Sequence, residues 1–144
     1  MAKALVIQVA DAVTAALNII EYEIDFIAQR MLVPKFQLGD LKNLKVAVVP
    51  TAIESEQLTR SQQERNFSID IGIQKLITDD NEVENLLKLV EEISNSFIST
   101  GISLDDGQNL LWYKTTNDPI YDADMLRDNK VFMSLLTVEY KALI

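Results

Sequence analysis

The chain has 144 residues, which suits one domain: long enough to bury a core and too short for two comfortable ones. Hydrophobic residues make up 48% and charged residues 24%, a mixture typical of folded globular proteins. Cysteine and histidine are both absent, which excludes thiol nucleophiles, thiolate zinc sites and imidazole-based triads. The formal net charge of -9 argues against a protein that binds nucleic acid tightly, because such binding needs clustered cations.

The N-terminal apolar run predicts neither a signal peptide nor a membrane span. Ala4–Val9 is interrupted by Gln8 and the run stops at Asp11, which is too short for either. We therefore expect a cytosolic protein with an intact N-terminus and no membrane contact.

The first third of the chain predicts one helix and two strands. Apolar residues recur at helical spacing over Ala2–Ile20, with no glycine or proline inside. Alternation over Tyr22–Val33 predicts a half-buried strand, and Pro34–Asn43 is a turn-rich connection. Leu44–Val49 is a short β-branched strand that Pro50 is expected to close.

A polar arm at about residues 51–66 follows. From Glu54 to Asn66 the only apolar residue is Leu58, and we expect the chain to fold back at Ser61–Glu64. A strand pair with so little apolar area cannot stabilise itself, so the arm is either a mobile loop or is ordered by a neighbouring subunit. For the second case the predicted contact residues are Glu54, Glu56, Leu58, Arg60, Glu64 and Arg65.

The clearest strand and the clearest helix come next. Apolar and polar residues alternate over Phe67–Lys75, which predicts one buried and one solvated face. Asp79 and Glu82 have capping-box spacing, and the helix that they begin should stop at Gly101. Its predicted buried face consists of Val83, Leu86, Leu87, Val90, Ile93 and Phe97.

The last third predicts two strands separated by a loop. Asp105–Gly107 is a turn, Leu110–Tyr113 a short strand and Thr115–Asp128 an Asp-rich loop. Lys130–Lys141 is a long final strand. The order of helix, four strands, helix and two strands predicts a single α+β domain over 1–144. We expect a mainly antiparallel sheet of about six strands with two helices packed on one face.

Motifs for catalysis or cofactor binding are weak, and we expect no cofactor. The four glycines are far apart, so no phosphate-binding loop can form. The aspartates of the loop offer oxygen ligands, but their spacing fails the EF-hand pattern at Leu126. These aspartates are Asp118, Asp122, Asp124 and Asp128.

Two further constellations have a functional and a structural interpretation. Glu139 and Lys141 share a strand face and, with Asp124 or Asp128, would form the carboxylate and lysine set of a metal-dependent nuclease. Cross-strand charge pairing is the alternative. Trp112 and Tyr113 offer a stacking platform for bases, with core packing or a subunit contact as the alternative.

Four segments resemble small neck and tail-completion proteins of long-tailed phages. They are Asp40–Pro50, Thr59-Arg60, the alternating strand Phe67–Lys75 and the closing strand Val131–Lys141. The resemblance spans nearly the whole chain, and its motifs are patterns of strand residues with no chemical signature.

The resemblance implies a tail terminator, a structural protein of the virion assembled in the host cytoplasm. Such a subunit forms a homo-oligomeric ring, commonly of six, that caps the tail tube and joins it to the head. The implied partners are the tail tube protein and a head-completion or connector protein, with DNA passing through the lumen and no specific nucleic-acid binding. No catalytic residues are implied. The alternatives are a metal-dependent nuclease and a small intracellular binding adaptor.

Overall fold

A computed structural model describes residues 3–33 and 38–143. It consists of six strands in the order β1-β2-β3-β6-β5-β4 together with three α-helices, which confirms the α+β class. The helices are α1 (Leu5–Ile19), α2 (Asp80–Phe97) and α3 (Ala123–Asn129). The strands are β1 (Ala28–Arg30), β2 (Lys45–Gln57), β3 (Gln63–Leu76), β4 (Ile102–Ser103), β5 (Asn109–Thr116) and β6 (Val131–Leu143).

The centre of the sheet is the antiparallel triplet β2, β3 and β6. Each of these strands is 13 or 14 residues long, and β3 lies between the other two. The buried face predicted over Phe67–Lys75 is confirmed, because Phe67, Ile69, Ile71 and Ile73 are fully buried. The predicted solvated face is wrong in its second half, where Gly72 and Gln74 are buried. Across the β3–β6 register, Tyr140, Val138 and Leu136 lie opposite Phe67, Ile69 and Ile71 and complete this core face.

Both long helices contribute to the same hydrophobic core as this face. The buried residues of α1 are Val9, Ala10, Val13 and Leu17, and those of α2 include Val83, Leu86, Val90, Ile93 and Phe97. All of them belong to one cluster with the core face of the sheet, which is compatible with two helices packed on one side. On α2, Leu89 takes the buried place predicted for Leu87, which is only partly buried.

The predicted capping box at the start of α2 is formed in one half only, because Glu82 bonds to the residue before the N-cap Asp79. Asp79 accepts a hydrogen bond from the backbone N–H of Glu82 at 3.0 Å, and Glu82 accepts one from the backbone N–H of Thr78 at 3.1 Å. The helix ends at Phe97, before the expected stop at Gly101.

The predicted first strand over Tyr22–Val33 is wrong in its pairing. Only Ala28–Arg30 pairs with another strand, in parallel with β2, while Tyr22, Ile24 and Phe26 are partly buried against the core without strand pairing. The alternation therefore predicted which side chains are directed toward the core, but not whether the backbone forms sheet hydrogen bonds. Residues 34–37, part of the predicted connection, lie outside the described residues, and Leu38–Lys42 form a 3₁₀ helix.

The expectation that Pro50 ends a strand is also wrong. β2 continues through Pro50 to Gln57 with a register shift between Pro50 and Ala52. Proline is tolerated because, among residues 3–33 and 38–143, only β3 pairs with β2 at this point, so no sheet hydrogen bond needs the missing N–H. The polar arm is thus the far end of the β2–β3 hairpin, which turns at residues 58–62 and not at Ser61–Glu64.

Two short elements were not predicted. β4 pairs with the start of β5, and α3 lies within the segment predicted to be an Asp-rich loop. Asp122 caps α3 by accepting from the backbone N–H of Met125, so one of the loop aspartates has a structural role. Within the described residues, no helix combines the length and apolar character needed to cross a bilayer.

Candidate interaction surface

The sheet has a second face, opposite the core face, that is polar toward the tip of the β2–β3 hairpin. We call this part the polar face; it consists of Glu54, Glu56, Glu64, Asn66, Tyr113, Lys114, Glu139 and Lys141. These residues line an open depression of about 640 Å³. It holds four carboxylates and two ammonium groups, so its net charge is negative.

Strand register brings these residues together from four strands. Glu54 of β2 lies opposite Asn66 of β3, which lies opposite Lys141 of β6. Glu139 of β6 lies opposite Lys114 of β5. Antiparallel partners point to the same side of a sheet, so all these side chains share one face.

Hydrogen bonds and ion pairs fix the centre of the polar face. The Lys141 ammonium lies 2.7 Å from Glu64 and 3.7 Å above the ring of Tyr113, a cation–π contact. The hydrogen bond to Glu64 raises the pKa of Lys141. Asn66 donates to Glu139 at 2.8 Å, and Lys114 lies 3.5 Å from the same carboxylate. Both lysines are therefore engaged in ion pairs, whereas Glu54 and Glu56 are exposed at the rim.

Asp70 extends the acidic character of this side of the sheet toward the core. It lies two residues beyond Ser68 on β3, opposite Thr137, which donates a hydrogen bond to it at 2.7 Å. Burial raises the pKa of Asp70 despite the opposing effect of that hydrogen bond. Ionisation of this half-buried carboxyl therefore lowers the free energy of unfolding.

We expect Asp70→Asn to raise the free energy of unfolding at pH 7. The folded-state pKa lies above the unfolded value of 3.8, so the wild type loses stability as pH rises through this window. The gain from Asp70→Asn should consequently shrink toward zero below pH 3.8. Urea unfolding at several pH values measures the difference, with the exposed Asp25→Asn as control. An advantage that stays constant across this pH range would contradict the interpretation.

The six predicted contact residues all lie in the hairpin, but not on one surface. Glu54, Glu56 and Glu64 belong to the polar face, whereas Arg65 pairs in register with Ser55 and Ala142 and points to the opposite side. Leu58 and Arg60 lie in the exposed turn.

Four residues of the polar face come from outside the predicted arm: Tyr113, Lys114, Glu139 and Lys141. That Glu139 and Lys141 share one face of β6 could be predicted from the sequence. Their position beside the hairpin depends on strand register, for which no local signal exists.

The nuclease constellation is not assembled among the described residues. Asp124 and Asp128 flank Arg127 on α3 and pair with it at 2.8 and 3.2 Å. α3 immediately precedes Val131, the first residue of β6, and eight strand residues at about 3.3 Å each put Glu139 roughly 26 Å further along. No group of three or more carboxylates suited to a metal ion occurs in the described ranges 3–33 and 38–143.

The aromatic platform is also not formed as predicted. Trp112 packs against the core and donates from Nε1 to the Thr115 hydroxyl at 2.9 Å, which favours the core-packing alternative for this residue. Tyr113 is exposed on the other face, where the Lys141 ammonium covers its ring. The two rings therefore do not form a continuous stacking surface.

In comparisons with known proteins, no family model and no curated protein matches this chain significantly.

Proposed function

We propose that this chain is a structural virion protein of a tailed phage, a tail terminator whose subunits form a ring that caps the tail tube and joins it to the head. The proposal combines the resemblance of its strand segments to tail-completion proteins with the shape of the β2–β3 hairpin. In this role the protein acts through its surfaces.

The exposed edge of the β2–β3 hairpin is the observation that carries the proposal. All of β2 from Thr51 to Gln57 is exposed, and so are the turn and the first residue of β3, Gln63. Ile53 and Leu58 are half exposed within this segment. β6 supports β3 as far as Glu64, so it is the outer edge of β2 and the turn that have little apolar contact. A neighbouring subunit that pairs with this edge would order it.

A ring of identical subunits needs two different complementary surfaces on each subunit. The hairpin lies toward one edge of the sheet. The opposite edge, at β5, carries the exposed apolar residues Leu111 and Tyr113. The two sides are thus different in shape and sequence, which suits a contact between the front of one copy and the back of the next.

The polar face is the part of the molecule that we assign to the channel. Its carboxylates outnumber its lysines, and both lysines are engaged in ion pairs. A lumen of this charge would let the DNA backbone pass without binding, whereas exposed cations would bind phosphates.

Co-expression with the tail-tube protein of the same phage tests the role. We expect tubes with a ring of this protein at one end, seen by negative-stain electron microscopy. These tubes should be shorter than the tubes that the tube protein forms alone. Tubes of unchanged length without the protein at their ends would contradict it.

A further inference from the structure

Within the described residues, the sheet has two free edges, one along the hairpin and one along β5. β1 covers β2 only at Val46–Val48, so that beyond Val48 no described strand pairs with the outer side of β2. β4 likewise covers β5 only at Asn109 and Leu110. Each free edge presents backbone donors and acceptors that another strand can pair with.

The direction of these backbone groups on β2 follows from one hydrogen bond. Met31 donates from its backbone N–H to the carbonyl of Val48 at 2.8 Å, so the backbone groups of Val48 point away from β3. Outward groups recur every second residue, and the register shift after Pro50 adds one residue. Ile53, Ser55 and Gln57 therefore present their N–H and C=O groups to the open side.

The two edges are compatible in direction. β2 and β3, β3 and β6, and β6 and β5 are all antiparallel, so β2 and β5 run in opposite directions. Copies related by rotation about an axis roughly along the strands keep these directions. The β2 edge of one copy then meets the β5 edge of the next as an antiparallel pair.

The edges are also compatible in charge. The exposed part of β2, from Thr51 to Gln57, carries Glu54 and Glu56, while the only charged residue of β5 is Lys114. Glu54 and Lys114 lie on the same face of the sheet, because both line the polar face. Opposite charges on adjacent strands of one face are favourable.

We propose that a second copy of this chain occupies the hairpin edge: residues 52–55 of β2 pair antiparallel with residues 113–116 of the neighbour's β5, with Glu54 opposite Lys114. This inference rests on the proposed ring and names its subunit contact. In this register Ala52 lies opposite the neighbour's Thr116, and both side chains are exposed.

Because the chain has no cysteine, cross-linking through introduced thiols gives an unambiguous test. Ala52→Cys and Thr116→Cys are prepared as single variants and treated with a short bismaleimide at a protein concentration where native mass spectrometry detects oligomers. Neither variant alone should give cross-linked dimers, whereas their mixture should, and the double variant should give a series of oligomers. Asn85→Cys, exposed on α2, is the control for random collision.

A second pair of variants tests the hydrogen bonds of the edge. Ser55→Pro removes one outward N–H, while Ser55→Ala keeps it. The proline variant should raise the concentration needed for assembly about tenfold or more, and the alanine variant should not. Circular dichroism verifies that both variants fold.

The outcomes separate this inference from the proposed function. Rings that form without cross-linking in the mixture, or with cross-linking of Ala52→Cys to itself, overturn the strand pairing and leave the ring intact. A protein that stays monomeric at every concentration and beside tail tubes overturns both.

Discussion

Replacing residues 55–65 with Asn-Gly should abolish oligomer formation while the domain stays folded. Glu54 and Asn66 are cross-strand partners, so a two-residue turn closes the shortened hairpin in the existing register. The core strand positions from Phe67 onward keep their partners in β6. The variant loses little buried apolar surface, because the buried residues of β3 begin at Phe67 and the buried residue opposite the deleted Arg65 is the small Ala142.

Size-exclusion chromatography with light scattering measures the assembly, and circular dichroism verifies the fold. A control variant keeps both strands and replaces residues 58–62 with a Gly/Ser segment of equal length, which separates the strands from the turn. This control should retain most of the assembly, because the proposed pairing uses β2 and not the turn. If the shortened protein still assembles, the hairpin is not the subunit contact.

Gly101→Ala should destabilise the domain by about 1–3 kcal/mol, the usual cost of forcing extra volume into a packed site. A Cβ at this position would lie 2.6 Å from the backbone oxygen of Leu110. That oxygen belongs to β5, and Leu110 is buried and paired with Ile102. The neighbouring backbone therefore cannot move aside without disturbing the sheet.

Gly72→Ala is the matched control within the same protein. Here an added Cβ would meet the Leu135 side chain at 3.8 Å and the Ala47 oxygen at 4.0 Å, both ordinary contacts. Alanine also removes the entropic cost of glycine in a strand, so the variant should be unchanged or more stable by up to about 1 kcal/mol. Urea unfolding measures the free energy of unfolding of both variants, which can be compared if their m-values are unchanged. Equal destabilisation of the two variants would contradict this explanation.

Local signals in the sequence predicted the elements whose structure depends on local interactions. The buried face of β3 and the Asp79 cap of α2 depend on residues within a few positions of each other, and both are confirmed. The α+β class followed from these elements and from the periodicity of α1.

The errors arise where distant residues decide the structure. Alternation in Tyr22–Val33 reflects burial against a helix and the core, as in the hydrogen bond of Tyr22 with Ser96, and not sheet pairing. Pro50 was expected to end a strand because its sequence does not reveal that β2 has a free side there. α3 was missed because its aspartates were interpreted as a loop, although the Asp122 cap was a usable local signal.

Part of the polar face could be predicted from the sequence. The hairpin is recognisable from its polar composition, which led to Glu54, Glu56 and Glu64. Lys114 and Lys141 follow Glu64 by 50 and 77 positions in the sequence, and only the register of β3, β6 and β5 brings them beside the hairpin.

Native mass spectrometry across a concentration series tests most directly whether this protein works by self-assembly. We expect one discrete ring-sized species above the monomer, with no open-ended series, and loss of that species in the shortened-hairpin variant. A monomer at all concentrations, alone and with tail tubes, would contradict it.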